Sequence, residues 1–309
     1  MSPNSFNQSL FAVLVSLACA AQAEAQSSLG VRANGMGGAF VGVADDATAV
    51  YWNPAGLATG SVVSLNLEPG GLEPAGGSER MLKHALIAFS LPPLGLAYYG
   101  QGSFGVGAPE AVVTDAQSRE EVRSSVHTFT TSTVAISLLQ SLTEHIVVSA
   151  TPKVVWGGDS VRPDVDASAM VAADRFRVGL VARHLASPSF DLGDTGDGEV
   201  ELEPHVRLGG GWGSGWPGYS RVVVAVDGDV TKRATPSGER RDVAAGVETW
   251  WLVRRLGVRG GVRGSTVGDS RAVVSAGASA LVAGFYVDGS FAGGQADERS
   301  WSLGLRYSF

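Results

Sequence analysis

Cysteine is almost absent from this sequence: its 309 residues contain one, Cys19. If the chain is cut after Ala25, as the amino terminus suggests, the mature protein has none, which excludes disulfide bonds and a thiol nucleophile. Also missing, beyond the amino terminus, is any apolar run long enough to cross a membrane as a helix. Charge is sparse, at 17% of residues, and the formal net charge of -7 becomes -6 once Glu24 is removed. That mild acidity argues against a nucleic-acid partner. What remains is 44% hydrophobic residues, carried as Val, Ala and Leu interleaved with Gly, Ser, Arg and Asp. That texture suits half-buried strands better than helices and points to a large all-β protein.

The one apolar run is Leu10 to Ala21, and the Ala23-Glu24-Ala25 that follows puts small residues where a signal peptidase needs them. The reading is a signal peptide over residues 1–25, with only the terminal amine supplying positive charge to its start. Cys19 lies inside it, and Ser16 stands where a lipoprotein signal prefers Leu, so cleavage is favoured over a lipid anchor. Residues 26–60 form a distinct segment, and 61–309 carry the strand pattern.

From Ser61 onward the sequence breaks into stretches of roughly eight to fourteen residues bounded by Gly, Pro, Asp and Ser, as transmembrane strands require. About fourteen are countable, with twelve the alternative. They begin near Ser61, Leu82, Leu94, Ser125, Glu144, Asp164, Phe176, Glu203, Arg221, Arg240, Arg255, Ser270, Gly284 and Arg299. The joins alternate in length. Short ones fall at Pro92-Pro93, Gln140 to Thr143, Asp174-Arg175, Ser214 to Ser220, Leu252 to Arg254 and Leu281 to Ala283. Longer polar ones fall at Glu68 to Met81, Gln101 to Arg119, Gly157 to Pro163, Ala186 to Leu202, Thr231 to Glu239, Ser265 to Asp269 and Gly294 to Glu298. Short periplasmic turns alternating with longer outer loops are the pattern of a closed antiparallel barrel in a bacterial outer membrane, with both ends periplasmic.

Side-chain direction gives an independent check, because lipid-facing and lumen-facing residues alternate with period two. Trp301, Leu303, Leu305, Tyr307 and Phe309 share one face of the last stretch, and Ser302, Gly304, Arg306 and Ser308 the other. Val222, Val224 and Val226 likewise oppose Asp227 and Asp229, and Leu256, Val258 and Val262 oppose Arg259 and Arg263. Aromatic residues are expected at the two interfaces. Trp212, Trp216, Trp250, Trp251, Phe285, Tyr307 and Phe309 fall near short turns or the end of the chain, while Tyr98, Trp156, Phe291 and Trp301 fall near long loops. A soluble β-sandwich shares the alternation but predicts neither the loop lengths nor the aromatic placement.

Between residues 26 and 60 the spacing is not that of a strand. Leu29 to Phe40 carries four glycines in nine positions, among them Gly35, Gly37 and Gly38, which permit tight bends and close backbone approach. Val43 to Ala58 follows, with Asp45 or Asp46 placed to cap a short helix over Ala47 to Tyr51 and Asn53 placed to cap a turn at Pro54, Ala55 and Gly56.

Leu29 to Ala58, together with the barrel pattern and the terminal Phe309, resembles the FadL-type outer-membrane transport family, particularly its PorV/PorQ-like branch. The resemblance implies a fourteen-stranded barrel whose amino-terminal segment folds inside the lumen as a hatch, with Asn53, Pro54 and Ala55 belonging to it. It implies Phe309 as an assembly signal read by the barrel-assembly machinery, and outer-membrane lipid around the barrel. The chain is shorter than the fatty-acid transporters of the family. Its longest expected loop, Gln101 to Arg123, is rich in Glu, Arg and Ser rather than apolar. Two expectations follow: passage of a hydrophobic small molecule gated by the hatch, or a secretion-associated barrel that binds an exported protein. A purely structural barrel is the third.

The constellations that might carry chemistry have plainer readings. Asp45-Asp46 lacks the further oxygens that calcium needs, and Gly35 to Gly38 lacks the Gly-Lys-Ser/Thr of a phosphate loop. No metal and no cofactor is expected. Arg177, Arg183, Arg207, Arg259, Arg263 and Arg306 would face Asp227, Asp229, Glu248 and Asp288 across the lumen. Because both signs recur on neighbouring strands, a ladder of ion pairs is favoured over a charged solute path. His84, His127, His145, His184 and His205 come with no nucleophile motif, so an outer-membrane hydrolase is the lesser alternative to a protein without enzymatic activity.

Overall fold

Period-two alternation repeated fourteen times can bury its polar faces only by closing on itself, and the chain does so. The structure is a computed structural model that describes residues 29–73, 82–114, 120–191, 199–214, 222–235, 238–268, 272–294 and 299–309. The expected signal peptide lies outside the described residues, as does Trp216.

The barrel strands are β1 (Ser64–Glu73), β2 (Leu82–Leu91), β3 (Leu94–Thr114), β4 (Glu120–Ser141), β5 (Ile146–Gly157), β6 (Ser160–Ala173) and β7 (Phe176–Arg183), then β8 (His205–Gly213), β9 (Val222–Asp229), β10 (Asp242–Trp251), β11 (Leu256–Ser265), β12 (Val273–Val282), β13 (Phe285–Gly294) and β14 (Arg299–Ser308). Each pairs antiparallel with its neighbours in chain order, and β14 closes on β1. Ser64 lies opposite Ser308 and Leu67 opposite Leu305 in that closure. Val63 and Phe309 extend it by exchanging backbone hydrogen bonds of 3.0 and 2.9 Å. The fourteen-strand count is therefore as the sequence reading has it.

Two expected loops are not loops. Residues 101–114 and 120–123 continue the β3–β4 ladder as far as Thr114 opposite Glu120, with register shifts on either side of Pro109, whose nitrogen cannot donate to a partner. Beyond a bilayer a ribbon of two strands needs no apolar alternation, so its polar composition reads as loop. Gly157 to Pro163 is likewise a two-residue turn, Gly158-Asp159, with Gly157 paired to Ser160 and Gly158 at a φ of 54°. Elsewhere the long joins at 184–204 and 230–241 fold part of their length into small two-stranded ribbons, Ser189–Asp191 with Glu199–Glu201 and Arg233–Thr235 with Gly238–Arg240.

The outward faces are apolar: Leu303 and Leu305, Val258 and Val262, and Val224 and Val226 are exposed, while Arg306, Arg259 and Asp227 beside them are buried. An exposed apolar belt over a paired backbone is what a bilayer accommodates. Trp251, Phe285, Tyr307 and Phe309 are exposed at the short-turn end, and Trp156, Phe291 and Trp301 toward the other. Trp250 departs from the expected girdle. It is buried, and because Trp251 takes the outer face, its neighbour must point inward.

The core is the amino-terminal segment itself. Helix α1 (Val31–Gly35) touches β11 to β14, helix α2 (Ala49–Trp52) touches β3 and β4, and a 3-10 turn, Pro54–Thr59, touches β4 to β6. Leu29, Met36, Phe40, Val41, Val43, Val50 and Leu57 are fully or almost fully buried. The segment thus lies within the ring of strands.

Candidate functional site

A short irregular segment inside a barrel leaves many backbone groups without helix or sheet partners, and each must find one. Inward side chains of the wall supply them. The Val31 N–H donates to Glu68 on β1 at 2.7 Å, and the Phe40 and Val41 N–H groups both donate to Asp227 on β9 at 2.7 and 2.8 Å. Ala47 donates to Ser64 on β1 at 3.1 Å and Ala55 to Ser168 on β6 at 3.0 Å. The carbonyl of Gly35 accepts from Ser275 on β12 at 3.2 Å, and that of Gly38 from Arg207 on β8 at 3.2 Å.

At the centre stands Arg32. Its guanidinium donates to both oxygens of Glu248 on β10, at 3.1 and 2.8 Å, and to Asp45 and Asp46 of its own segment, each at 2.7 Å. It also lies over the Phe40 ring, 5.2 Å from the centroid. Burial opposes its charge, but Glu248, Asp45 and Asp46 more than offset this and hold it well above its ordinary pKa. Asp45 and Asp46 therefore bind an arginine. Asp46 additionally accepts from the Thr48 N–H at 3.0 Å, just before α2, in the manner of a local turn.

The network continues along the wall. Glu248 lies 3.7 Å from Arg259, Arg259 3.2 Å from Asp288, and Asp288 3.1 Å from Arg306; Ser279 bonds both Arg259 and Asp288. Arg207 pairs with Asp229 at 2.6 Å and reaches Asp227 at 3.5 Å. Seven of the ten lumen charges named from the sequence thus face inward in linked pairs; Arg177 and Arg183 are buried as well, donating to the Thr59 and Trp52 carbonyls at 3.3 and 3.4 Å, and Arg263 is half-buried farther along β11.

The expected cap at Asn53 is different in detail. Its side chain makes no cap bond to the turn it precedes; its amide donates to the Val41 and Ala169 carbonyls at 2.9 and 3.3 Å, tying the segment to itself and to β6. Pro54 does open the turn, where its missing N–H costs nothing. Of the glycines, Gly37 adopts a φ of 70°, and a Cβ there would come 2.7 Å from the Val262 nitrogen of β11. Gly42 faces Gly209 and Gly210 of β8 so closely that a Cβ would lie 2.7 Å from backbone. The glycines of strand and segment meet where two backbones pass.

A second buried cluster escaped the sequence reading. Lys153 on β5 pairs with Asp164 and Asp166 on β6 at 2.9 and 2.6 Å, and His184, just past β7, bonds Asp164 at 2.7 Å through Nδ1. Asp164, Asp166 and His184 lie close enough to hold a cation, but the Lys153 ammonium already sits on both carboxylates. Burial pulls the His184 ring below its ordinary pKa, with Asp164 opposing. Lys153 falls on the inward register of β5, between Thr151 and Val155, and that register was the signal available. His205 joins the Arg207–Asp229 pair, 3.2 Å from Asp229, and His84 lies 3.3 Å from Ser302.

No family model matches the sequence, and no curated protein matches it. Solved structures do resemble the fold. The monoaromatic hydrocarbon channel CymD superposes with a TM-score of 0.65 at 15% identity, covering 91% of this chain and 97% of that one. The toluene transporter TodX of Pseudomonas putida gives 0.63 at 11% identity, covering 92% and 98%, and a FadL homologue from Pseudomonas aeruginosa gives 0.61 at 10%, covering 94% and 100%. With its closed ring of fourteen strands, this chain has the fold of the FadL-type channels.

Proposed function

We propose that this protein is an outer-membrane channel for hydrophobic molecules in which residues 29–60 act as the hatch. The observation that carries the reading is the mooring of that segment. It is held to β1, β6, β8, β9, β10 and β12 by side chains, and the largest single tie is the Arg32 guanidinium on Glu248. A segment fixed by discrete polar bonds, rather than by continuity with the sheet, can leave without breaking the wall. The names of the similar structures, a hydrocarbon channel and a toluene transporter, support the class of solute.

Opening requires the Arg32–Glu248 pair to part, and no bond is made or broken covalently. The test is entry of N-phenyl-1-naphthylamine, an apolar fluorescent probe, into cells whose outer membrane carries the protein. Glu248→Gln keeps the shape of the side chain and removes its charge. Entry is expected to rise by about tenfold, equivalent to a loss of about 1.4 kcal/mol from the closed state. Entry at the level of cells without the protein, in wild type and variant alike, would overturn the channel reading. It would leave the secretion-associated scaffold of the PorV/PorQ-like branch as the stronger account.

A further inference from the structure

The join between β7 and β8 does not stand clear of the barrel. Its ribbon pairs Ser189 with Glu201, Phe190 with Val200 and Asp191 with Glu199, and the Leu202 N–H closes the neck by donating to the Pro188 carbonyl at 3.0 Å. Alternation gives the ribbon two unlike faces. Asp191, Glu199 and Glu201 are exposed, whereas Phe190 is fully buried and Val200 and Leu202 are partly so. What they cover is Val155. On β5 that residue continues the inward register of Thr151 and Lys153, so it faces the lumen, and it too is buried. The ribbon is therefore folded inward over the outer end of β5, with its apolar face down and its acidic face in water.

Stem and ribbon are held by different chemistry. Asp166 of β6 accepts from the His184 N–H at 2.9 Å, and Asp164 accepts from the Ala186 N–H at 3.4 Å and bonds the His184 ring at 2.7 Å. Beyond this anchored stem the ribbon is seated by Phe190 and Val200 on Val155. His184 and Ser187 take left-handed conformations, with φ of 55° and 48°, which side chains other than glycine hold only at a cost. The neighbouring ribbon, between β9 and β10, also bends toward the wall, but Arg233 fixes it to Asp242 at 2.8 Å and lies 3.7 Å from the inward Asp229. We infer that the β7–β8 ribbon is a lid on the outer mouth, swinging about residues 184–187 and 203–204 while Asp164 and Asp166, neutralised by Lys153, keep the stem in place. Apolar contact is non-directional, so an apolar solute arriving under the ribbon can cover Val155 in place of Phe190. The ion-paired ribbon has no such exchange to make. A solute meets the lid first and the hatch second.

The solute of this lid rests on the channel reading, but its closure can be read separately. Cys19, the one cysteine, lies in the expected signal peptide, so introduced thiols stand alone. In the folded, heat-modifiable form, Val155→Cys is expected to react slowly with a water-soluble maleimide, and adding Phe190→Ala to quicken the reaction about tenfold. Equal rates in the two proteins would overturn the lid. Gating is tested in Glu248→Gln carrying Val155→Cys and Phe190→Cys. Joining the thiols with copper phenanthroline is expected to lower entry of N-phenyl-1-naphthylamine about tenfold, and dithiothreitol to restore it, so that each protein serves as its own folding control. Undiminished entry with the thiols joined overturns the gate. Thiols that each take maleimide but never join overturn the contact beneath it. Should Glu248→Gln admit no probe, the channel reading fails, while the maleimide rates still decide whether the lid closes the mouth.

Discussion

The guanidinium of Arg32 grips both carboxylate oxygens of Glu248, at 3.1 and 2.8 Å, across 216 positions of sequence. Breaking a buried pair by deleting one partner costs about 3–5 kcal/mol, because the other charge stays buried without compensation. Arg32→Met would strand Glu248 together with Asp45 and Asp46. The backbone ladder does not include Arg32, so the loss should fall on the segment and spare the barrel. Hydrogen exchange is expected to quicken over residues 29–60 and to stay slow in β10 and β11. Equal acceleration in both would show that the segment and the wall unfold as one unit.

Gly37 offers a separate test of close backbone approach. Gly37→Ala places a methyl 2.7 Å from the Val262 nitrogen in a left-handed conformation, whereas Gly284→Ala, at a φ of 88°, meets nothing within 4 Å. The second variant carries only the conformational penalty, about 1–2 kcal/mol. The first adds a collision with strand backbone that cannot move without opening the β10–β11 ladder. Denaturant midpoints measured in bilayers should fall farther for Gly37→Ala than for Gly284→Ala. Equal midpoints would mean that the segment shifts freely at this point.

These two residues also mark the limit of what sequence can tell. Gly37 and Gly38 stand out as glycines in a non-strand segment, and both do take positive φ, but nothing in the sequence says that Val262 is the neighbour. Period-two alternation makes the barrel legible, since facing direction is written at every strand position. The paired length of β3 and β4 was not legible, because above the membrane a ribbon is held by backbone bonds that leave no apolar signature. Arg32 carries no distinguishing mark within Leu29 to Phe40. Its partners come from two places, the adjacent Asp45 and Asp46 of its own segment and the far Glu248, and a single cation in an irregular segment carries no periodicity to announce them.

Lys153 makes the same argument from the other wall. Lys153→Met leaves Asp164 and Asp166 buried with no cation but a protonated His184 and only backbone N–H donors beside it, and the expected cost is about 3–5 kcal/mol. Neutralising one acid in the same protein, as Lys153→Met with Asp166→Asn, should recover part of that loss. A double-mutant cycle read by denaturant unfolding measures the coupling. Additive losses would mean that the lysine contributes packing rather than charge.

Phe309 separates assembly from stability. Its ring is 79% exposed, while its backbone exchanges two hydrogen bonds with Val63 and so completes the β1–β14 seam. Phe309→Ala keeps both backbone bonds and removes only the exposed ring, worth little to a folded barrel beyond contact with lipid. Deleting Phe309 removes ring and bonds together. If the ring is the signal read by the assembly machinery, Phe309→Ala should lower the folded yield in the outer membrane several-fold. Refolding of the purified chain into detergent should remain at wild-type levels. The deletion should impair both, since the seam loses two closing bonds of about 1 kcal/mol each. Normal yield from Phe309→Ala in cells would show that the terminal ring serves only as an interfacial anchor.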